Sequence, residues 1–104
     1  MKVLVVGGAG YVGGVVTDLF IKQKHKVLVY DNLTYEESFR KNCDFIYGDV
    51  RNKILLKKFL KWADLVVWMA ALVGDGACSI NPKITFDINS ESVKFLAKNF
   101  KKKI

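Results

Sequence analysis

The sequence predicts an α/β fold with a parallel sheet, because short apolar stretches alternate with stretches that have the spacing of amphipathic helices. Residues 3–6, 27–29 and 65–69 are uninterrupted apolar runs, and the consecutive Val27, Leu28 and Val29 form the pattern of a strand that is covered on both faces. The connections between the stretches are short, so right-handed β-α-β units are expected. At 104 residues the chain forms at most one small domain, and its hydrophobic content of 51% is sufficient for a packed core.

Each predicted element follows from its own residue pattern. The predicted strands are residues 2–6, 26–30, 44–47 and 64–69. The predicted helices are residues 11 to about 23, a helix capped by Asn52 that runs to about residue 62, a helix from Pro82 towards residue 100, and a short helix over 36–40. The side chains expected to face the core are Val12, Val15, Val16, Leu19 and Phe20 in the first helix, Leu55, Leu56, Phe59 and Leu60 in the second, and Ile84, Ile88, Phe95, Leu96 and Phe100 in the last. Residues 31–35 and 70–81 are expected to form a turn and a loop.

The connection between the first strand and the first helix is rich in glycine. Gly8, Gly10 and Gly13 spell G-x-G-x-x-G, whereas Gly7, Gly10 and Gly13 spell G-x-x-G-x-x-G. In both registers the early glycines allow a tight turn, and Gly13 allows the helix to lie close to the strand. The helix N-terminus presents unpaired N–H groups and the positive end of the helix dipole, which favour a pyrophosphate. The pattern predicts a dinucleotide site on a Rossmann-type sheet with strand order 3-2-1-4, and a glycine turn that only joins strand to helix is the alternative.

An acidic residue stands at the end of the second predicted strand. Asp31 lies 18 positions after Gly13, the region in which dinucleotide folds carry an acid that accepts hydrogen bonds from the adenosine ribose. A carboxylate there repels a 2′-phosphate, so NAD is favoured over NADP, and Arg40 is the nearby cation that could weaken this preference. The alternative is an ordinary turn aspartate before Asn32.

Two further segments follow predicted strands at the same edge of the sheet. Asp49 comes directly after the third strand, where a carboxylate could meet the amino group of adenine; a loop residue that caps the next helix is nearly as well supported. Ala70 and Ala71 follow the fourth strand, where small side chains allow a cofactor to lie across the strand end, although such a pair is common in any close packing.

Charge, cysteine content and hydropathy limit the classes of function. The formal net charge of +7 comes from lysines on predicted outer helix faces, so a solvated surface is favoured; nucleic-acid binding is the weaker alternative, because Arg40 and Arg51 are the only arginines. Cys43 and Cys78 lack metal-ligand spacing, and two free thiols in a cytoplasmic protein are expected. No apolar run is long enough to span a membrane, and no metal site is predicted.

Four motifs occur in order along the chain. They are Val5-Val6-Gly7-Gly8-Ala9-Gly10-Tyr11-Val12-Gly13, Tyr30-Asp31-Asn32-Leu33, Gly48-Asp49-Val50-Arg51 and Met69-Ala70-Ala71. Together they resemble the extended short-chain dehydrogenase/reductase family, and more narrowly its NAD-dependent sugar-nucleotide epimerases and dehydratases of the UDP-glucose 4-epimerase type. The resemblance implies contacts to NAD by Gly7, Gly10, Tyr11, Val12 and Gly13 at the pyrophosphate, Asp31, Asn32 and Leu33 at the adenosine ribose, Asp49 and Val50 at the adenine, and Met69, Ala70 and Ala71 along the ribose on the nicotinamide side.

The chemistry implied by the resemblance needs a Tyr-x-x-x-Lys pair, which these residues do not contain. Residues four positions after the four tyrosines are Val15, Thr34, Phe39 and Arg51, and no other catalytic grouping is predicted. We therefore expect the sequence to be the NAD-binding, N-terminal part of an epimerase or dehydratase that acts on a nucleotide sugar, and to be inactive alone. A complete dinucleotide-binding or regulatory module and a basic interaction protein are the alternatives. Self-association into a homo-oligomer is expected, through the fourth strand or the apolar face of the last helix.

Overall fold

Four parallel strands form one sheet in the part of the chain that the computed structural model describes, which is residues 1–8, 11–32, 43–70 and 82–102. The strands are β1 (Lys2–Val6), β2 (Lys26–Asp31), β3 (Asp44–Tyr47) and β4 (Leu65–Trp68). Their order in the sheet is β3-β2-β1-β4, which confirms the predicted order. The bounds differ from the prediction by one residue: β2 extends to Asp31, and β4 is shorter at both ends.

Strand β1 is the centre of the sheet and is buried on both faces. Leu4 is paired with Leu28 of β2 and with Val66 of β4, and residues 3–6 are fully inaccessible to solvent. Alternate side chains point to opposite faces, so Leu4 belongs to one apolar cluster and Val5 to the other. This double burial explains why the strands are continuous apolar runs rather than alternating patterns.

Helices flank the sheet after each of three strands. They are α1 (Tyr11–Lys22), α2 (Lys53–Trp62), α3 (Pro82–Phe86) and α4 (Ser92–Asn99), and a π-helical segment (Asp87–Glu91) connects α3 to α4. The last predicted helix is therefore not uniform, because the backbone N–H of Ser92 donates to the carbonyl of Asp87, five residues earlier. The predicted helix over 36–40, the turn from residue 33 onward and the loop over 71–81 lie outside the described residues.

Helix α2 has the predicted cap and the predicted buried face. The Asn52 side chain accepts a hydrogen bond from the backbone N–H of Leu55 at 3.1 Å, which satisfies one of the unpaired donors at the helix start. Leu56 and Leu60 are buried against the sheet, and Leu55 and Phe59 pack partly against the same cluster. The apolar face of the last helix is also confirmed, since Ile88, Leu96 and Phe100 are buried and Ile84 and Phe95 pack beside them.

The predicted buried face of α1 is wrong at three of its five positions. Val12, Val15 and Leu19 are each more than half exposed, whereas Gly13, Gly14 and Thr17 are buried. Small side chains on this face bring the helix axis close to β1 and β2, which leaves the larger residues on the opposite side. Only Val16 and Phe20 of the predicted set are partly buried.

Candidate functional site

The turn after β1 is built from glycines that no larger residue could replace without a shift. Gly7 has φ of +87°, which favours glycine, and its N–H donates to the Tyr30 carbonyl at 2.8 Å. A Cβ on Gly7 would lie 2.8 Å from the backbone nitrogen of Ala70. A Cβ on Gly13 would overlap the carbonyl oxygen of Gly7, so the first turn of α1 lies directly on the strand end. The carboxyl end of β1 therefore lies between the carboxyl ends of β2 and β4.

Gly8 allows α1 to pack closely against the sheet. A Cβ on Gly8 would lie 2.8 Å from Oγ1 of Thr17 and 3.0 Å from the side chain of Val29. Thr17 is fully buried and its hydroxyl donates to the Gly13 carbonyl at 2.7 Å. Gly8 therefore lies where α1 and the sheet leave no room for a side chain. Gly7 is the glycine that forms the turn.

The ends of β2 and β4 lie beside this turn. Asp31 is the last residue of β2, is partly buried, and accepts a hydrogen bond at its backbone carbonyl from the Gly48 N–H at 3.0 Å. On the other side of β1, the backbone N–H of Met69 donates to the Val6 carbonyl at 2.7 Å. The carboxyl ends of β2, β1 and β4 thus form one continuous edge, with Asp31 at one side and Met69 and Ala70 at the other.

Tyr30 has a role at this edge that the sequence reasoning missed. Its ring is fully buried, and its hydroxyl donates to the backbone carbonyl of Asp49 at 2.7 Å. A Cβ on Gly48 would lie 2.5 Å from the Tyr30 ring, so only glycine leaves room for this side chain. Burial, and next the negative charge of Asp49, raise the pKa of Tyr30 to about 12. A polar aromatic at the end of an otherwise aliphatic strand was the signal in the sequence that could have identified it.

Asp49 is held by Arg51, a second residue to which the sequence reasoning gave no role of its own. Oδ1 of Asp49 accepts from the backbone N–H of Arg51 at 2.8 Å and from its Nε at 3.0 Å, and Oδ2 accepts from Nη2 at 2.6 Å. The side-chain hydrogen bond from Arg51 is the largest cause of the lowered pKa of Asp49; burial opposes it. The same hydrogen bond raises the pKa of Arg51, to which the charge of Asp87 also contributes.

The alternative role of Asp49 as a helix cap does not hold, because Asn52 caps α2. Asp49 instead forms the turn that precedes the cap: its carbonyl accepts from the N–H of Asn52 at 3.0 Å. Val50 between them is buried in the core, and its carbonyl lies 3.4 Å from the Ser92 hydroxyl.

The structure brings most of the predicted site residues to the carboxyl edge of the sheet. The residues at this edge are Gly7, Val12, Gly13, Asp31, Asn32, Asp49, Val50, Met69 and Ala70. Tyr11 is the first residue of α1, and the predicted residues Gly10, Leu33 and Ala71 lie outside the described part of the chain. The side chain of Val12 is exposed on α1.

A glycine turn between a central parallel strand and a helix, with acidic residues at neighbouring strand ends, defines a dinucleotide-binding α/β fold. The chain belongs to the NAD dependent epimerase/dehydratase family, whose sequence profile matches residues 3–103. The predicted cofactor, NAD, is thus confirmed as the cofactor of the family. The resemblance of the four motifs to those of epimerases and dehydratases is thereby confirmed.

Individual relatives agree with this assignment. The chain is 32% identical over 90 residues to a putative UDP-glucose 4-epimerase of Methanocaldococcus jannaschii and 31% identical over 100 residues to a UDP-glucose 4-epimerase of Klebsiella pneumoniae. A crystal structure of UDP-glucose 4-epimerase from Brucella ovis in complex with NAD superposes with a TM-score of 0.82 at 29% identity, over 94% of this chain.

The matches cover most of this chain but a variable part of the relatives. The match covers 84% of this chain and 30% of the M. jannaschii protein, and 86% of this chain and 72% of the K. pneumoniae sequence. It covers 31% of the B. ovis chain. The activities of those larger proteins are therefore attributed to this chain only as a proposal. In the described residues, no helix combines the length and the apolar character that crossing a membrane requires.

Proposed function

We propose that this chain is the NAD-binding portion of an enzyme that epimerises or dehydrates a nucleotide sugar. The observation that carries the proposal is the carboxyl edge of the sheet, where Gly7 and Gly13 shape the turn from β1 to α1 and Asp31 ends the neighbouring strand β2. The family membership and the epimerases named above support the same conclusion.

The residues at this edge fit a dinucleotide. The positive φ of Gly7 and the close approach of Gly13 to the Gly7 carbonyl set the start of α1 directly beside the end of β1, where its N–H groups could bind a pyrophosphate. Asp31, at the end of β2, would accept hydrogen bonds from the adenosine ribose, and Asp49 would accept from the adenine amino group. Met69 and Ala70 would lie along the nicotinamide side.

When bound, NAD supplies a reversible hydride acceptor. The residues of this chain would fix the position and orientation of the dinucleotide and keep the ribose hydroxyls hydrogen-bonded. They would not move the proton of the sugar hydroxyl, because no tyrosine in the sequence is followed by lysine four residues later. The acid and base groups of the proposed enzyme would be supplied by residues outside this sequence, and these 104 residues would be inactive alone. Epimerase or dehydratase turnover by the 104-residue chain would contradict this part of the proposal.

Calorimetric titration of the chain with NAD and NADP tests the proposal. We expect NAD to bind more tightly than NADP, and Asp31→Ala to weaken NAD binding by about tenfold or more, since the ribose loses a charged acceptor. Asp44→Ala is the matched control, because Asp44 is an exposed carboxylate at the amino end of β3, on the opposite edge of the sheet. A folded chain that binds neither dinucleotide would contradict the proposal and favour the basic interaction protein.

A complete dinucleotide-binding or regulatory module without catalysis is the second candidate, and the missing Tyr-x-x-x-Lys pair is the observation that favours it. The gene sequence beyond the codon for Ile104 distinguishes the two. A downstream serine or threonine followed by Tyr-x-x-x-Lys supports the enzyme, and a stop codon supports the module.

The proposal includes a cytoplasmic homo-oligomer with a nucleotide-sugar substrate. The apolar face of the last helix no longer supports self-association, since Ile88, Leu96 and Phe100 are buried within the chain. Among the described residues, the outer side of β4, the other route expected from the sequence, supports self-association, and so do the exposed side chains of Val12, Val15 and Leu19. A mass of one chain in light scattering at high protein concentration would contradict this part of the proposal.

A further inference from the structure

Arg51 holds the carboxylate of Asp49, two residues earlier in the chain, by hydrogen bonds. The guanidinium donates from Nε to Oδ1 and from Nη2 to Oδ2, so both carboxylate oxygens are engaged by one planar group. The backbone N–H of Arg51 adds a third hydrogen bond, to Oδ1. A carboxylate held in this way cannot rotate freely about its terminal torsion, in contrast to an isolated surface aspartate.

The backbone of Asp49 is fixed as well. Its carbonyl oxygen accepts from the buried Tyr30 hydroxyl at 2.7 Å and from the N–H of Asn52 at 3.0 Å, which occupies both of its lone pairs. Tyr30 belongs to β2 and Asn52 caps α2, so the position of Asp49 is tied to two elements of the fold.

One acceptor position of the carboxylate is left for an outside donor. Each carboxylate oxygen has two lone-pair positions. Within the described residues Oδ1 accepts two hydrogen bonds from Arg51 and Oδ2 accepts one, so the second lone pair of Oδ2 remains. The Asp49 side chain as a whole is 29% exposed, so the carboxylate is not sealed inside the core.

The pair also changes the local charge. An isolated carboxylate would repel the negatively charged pyrophosphate of a dinucleotide, whereas the adjacent guanidinium compensates its charge. A neutral amino donor such as the 6-amino group of adenine can then be bound without a net negative charge beside it.

We infer that Arg51 is a positioning residue that orients Oδ2 of Asp49 towards the 6-amino group of the adenine, and that the pair selects adenine over a base that lacks this donor. The inference rests on the proposed function, because it assigns a base preference to the same NAD site.

The probe for this inference is nicotinamide hypoxanthine dinucleotide, in which a 6-oxo group replaces the amino group of NAD. The carboxylate would lose a donor and face a carbonyl oxygen instead. We expect the wild-type chain to bind NAD about tenfold or more tightly than the hypoxanthine analogue, the effect of one hydrogen bond to a charged acceptor. Both dissociation constants are measured by calorimetry.

Arg51→Ala is expected to remove most of this preference while the affinity for the hypoxanthine analogue changes little. Arg51→Lys, which keeps the charge without the planar fork, is expected to restore only part of it. Lys57→Ala is the matched control, because Lys57 is an exposed cation on α2 whose removal makes the same change in net charge. A purely structural role of Arg51 would instead weaken both dinucleotides equally.

The possible outcomes are distinguishable. If the folded wild-type chain does not bind NAD, both the proposed function and this inference are overturned. If NAD binds but Arg51→Ala keeps the full preference for NAD over the hypoxanthine analogue, only the role of Arg51 is overturned. Far-ultraviolet circular dichroism establishes that each variant is folded; if Arg51→Ala is not, the same comparison is made with Arg51→Lys, and a fully retained preference overturns the inference.

Discussion

Single polar groups at the carboxyl edge connect the fold to the candidate site. Tyr30 is buried in the same cluster as Leu56 and Leu60, and its ring lies 6.1 Å from that of Phe59. Its hydroxyl reaches the carbonyl of Asp49, so the packing of the core determines where the site begins. This arrangement requires glycine at position 48, because any side chain there would clash with the Tyr30 ring.

Tyr30→Phe is expected to lower the free energy of unfolding by about 1 kcal/mol at neutral pH, the usual net value of one hydrogen bond. The pKa of Tyr30 is raised to about 12, so its contribution is complete below the pKa of an unfolded tyrosine, near 10, and is lost as the pH rises towards 12. Denaturant unfolding followed across this alkaline range measures both effects. Tyr47→Phe, at an exposed position, is the control. Equal alkaline losses of stability in the wild type and Tyr30→Phe would contradict the role of the buried hydroxyl.

At the scale of elements, α1 shows how small residues determine the position of a helix. Thr17 and Gly13 face the sheet, and the larger residues Val15 and Leu19 face away from it. The close contact of the helix start with the Gly7 carbonyl fixes the direction in which the first N–H groups point. The geometry of the candidate pyrophosphate site is therefore a consequence of packing along the whole helix.

Gly13→Ala tests this close contact. The added methyl group would overlap the Gly7 carbonyl, and we expect it to lower the free energy of unfolding by about 1–3 kcal/mol despite the better helix propensity of alanine. Val15→Ala on the exposed face of the same helix is the control and is expected to stay within about 0.5 kcal/mol. Thermal and denaturant unfolding measure both. A neutral or stabilising Gly13→Ala would show that α1 is not in close contact with the strand end.

The sequence alone predicted the strands, their order and the cap of α2, because these depend on local patterns: continuous apolar runs, a glycine turn and an asparagine before a helix. It failed for α1, where Val12, Val15 and Leu19 have perfect helical spacing and yet face outward. Spacing identifies an apolar face, but the neighbouring Gly13, Gly14 and Thr17 decide which face approaches the sheet. The Tyr30–Asp49–Arg51 contacts could not be predicted either, since they depend on how the end of β2 meets the turn after β3.

For the molecule as a whole, the two edges of the sheet are held by different means. The carboxyl edge carries the candidate site. At the opposite edge, where the strands begin, Asp64 joins the amino ends of β1 and β4 by hydrogen bonds. The backbone N–H of Lys2 donates to Oδ2 of Asp64 at 2.9 Å, and the backbone N–H of Asp64 donates to the Lys2 carbonyl at 2.8 Å. Lys102 approaches from beyond α4, with Nζ 3.2 Å from the Ala63 carbonyl. Nζ of Lys102 also lies 3.9 Å from Oδ1 of Asp64, so the beginning of β1, the beginning of β4 and the segment after α4 meet at this carboxylate.

Asp64→Asn is expected to lower the stability of the fold by an amount that depends on pH. The hydrogen bond from the Lys2 backbone, followed by the charges of Lys102 and Lys2, lowers the pKa of Asp64 below its ordinary value, although burial opposes the shift. The carboxylate therefore stabilises the fold above the pKa of an unfolded aspartate, about 3.9, and this stabilisation disappears as the pH falls through the lowered value. We expect the variant to be less stable than the wild type at neutral pH and the difference to vanish in acid. Denaturant unfolding at several pH values measures this, with Asp44→Asn at the exposed start of β3 as the control. A difference that persists unchanged in acid would mean that the asparagine disturbs packing, and that the charge of Asp64 does not hold the amino edge together.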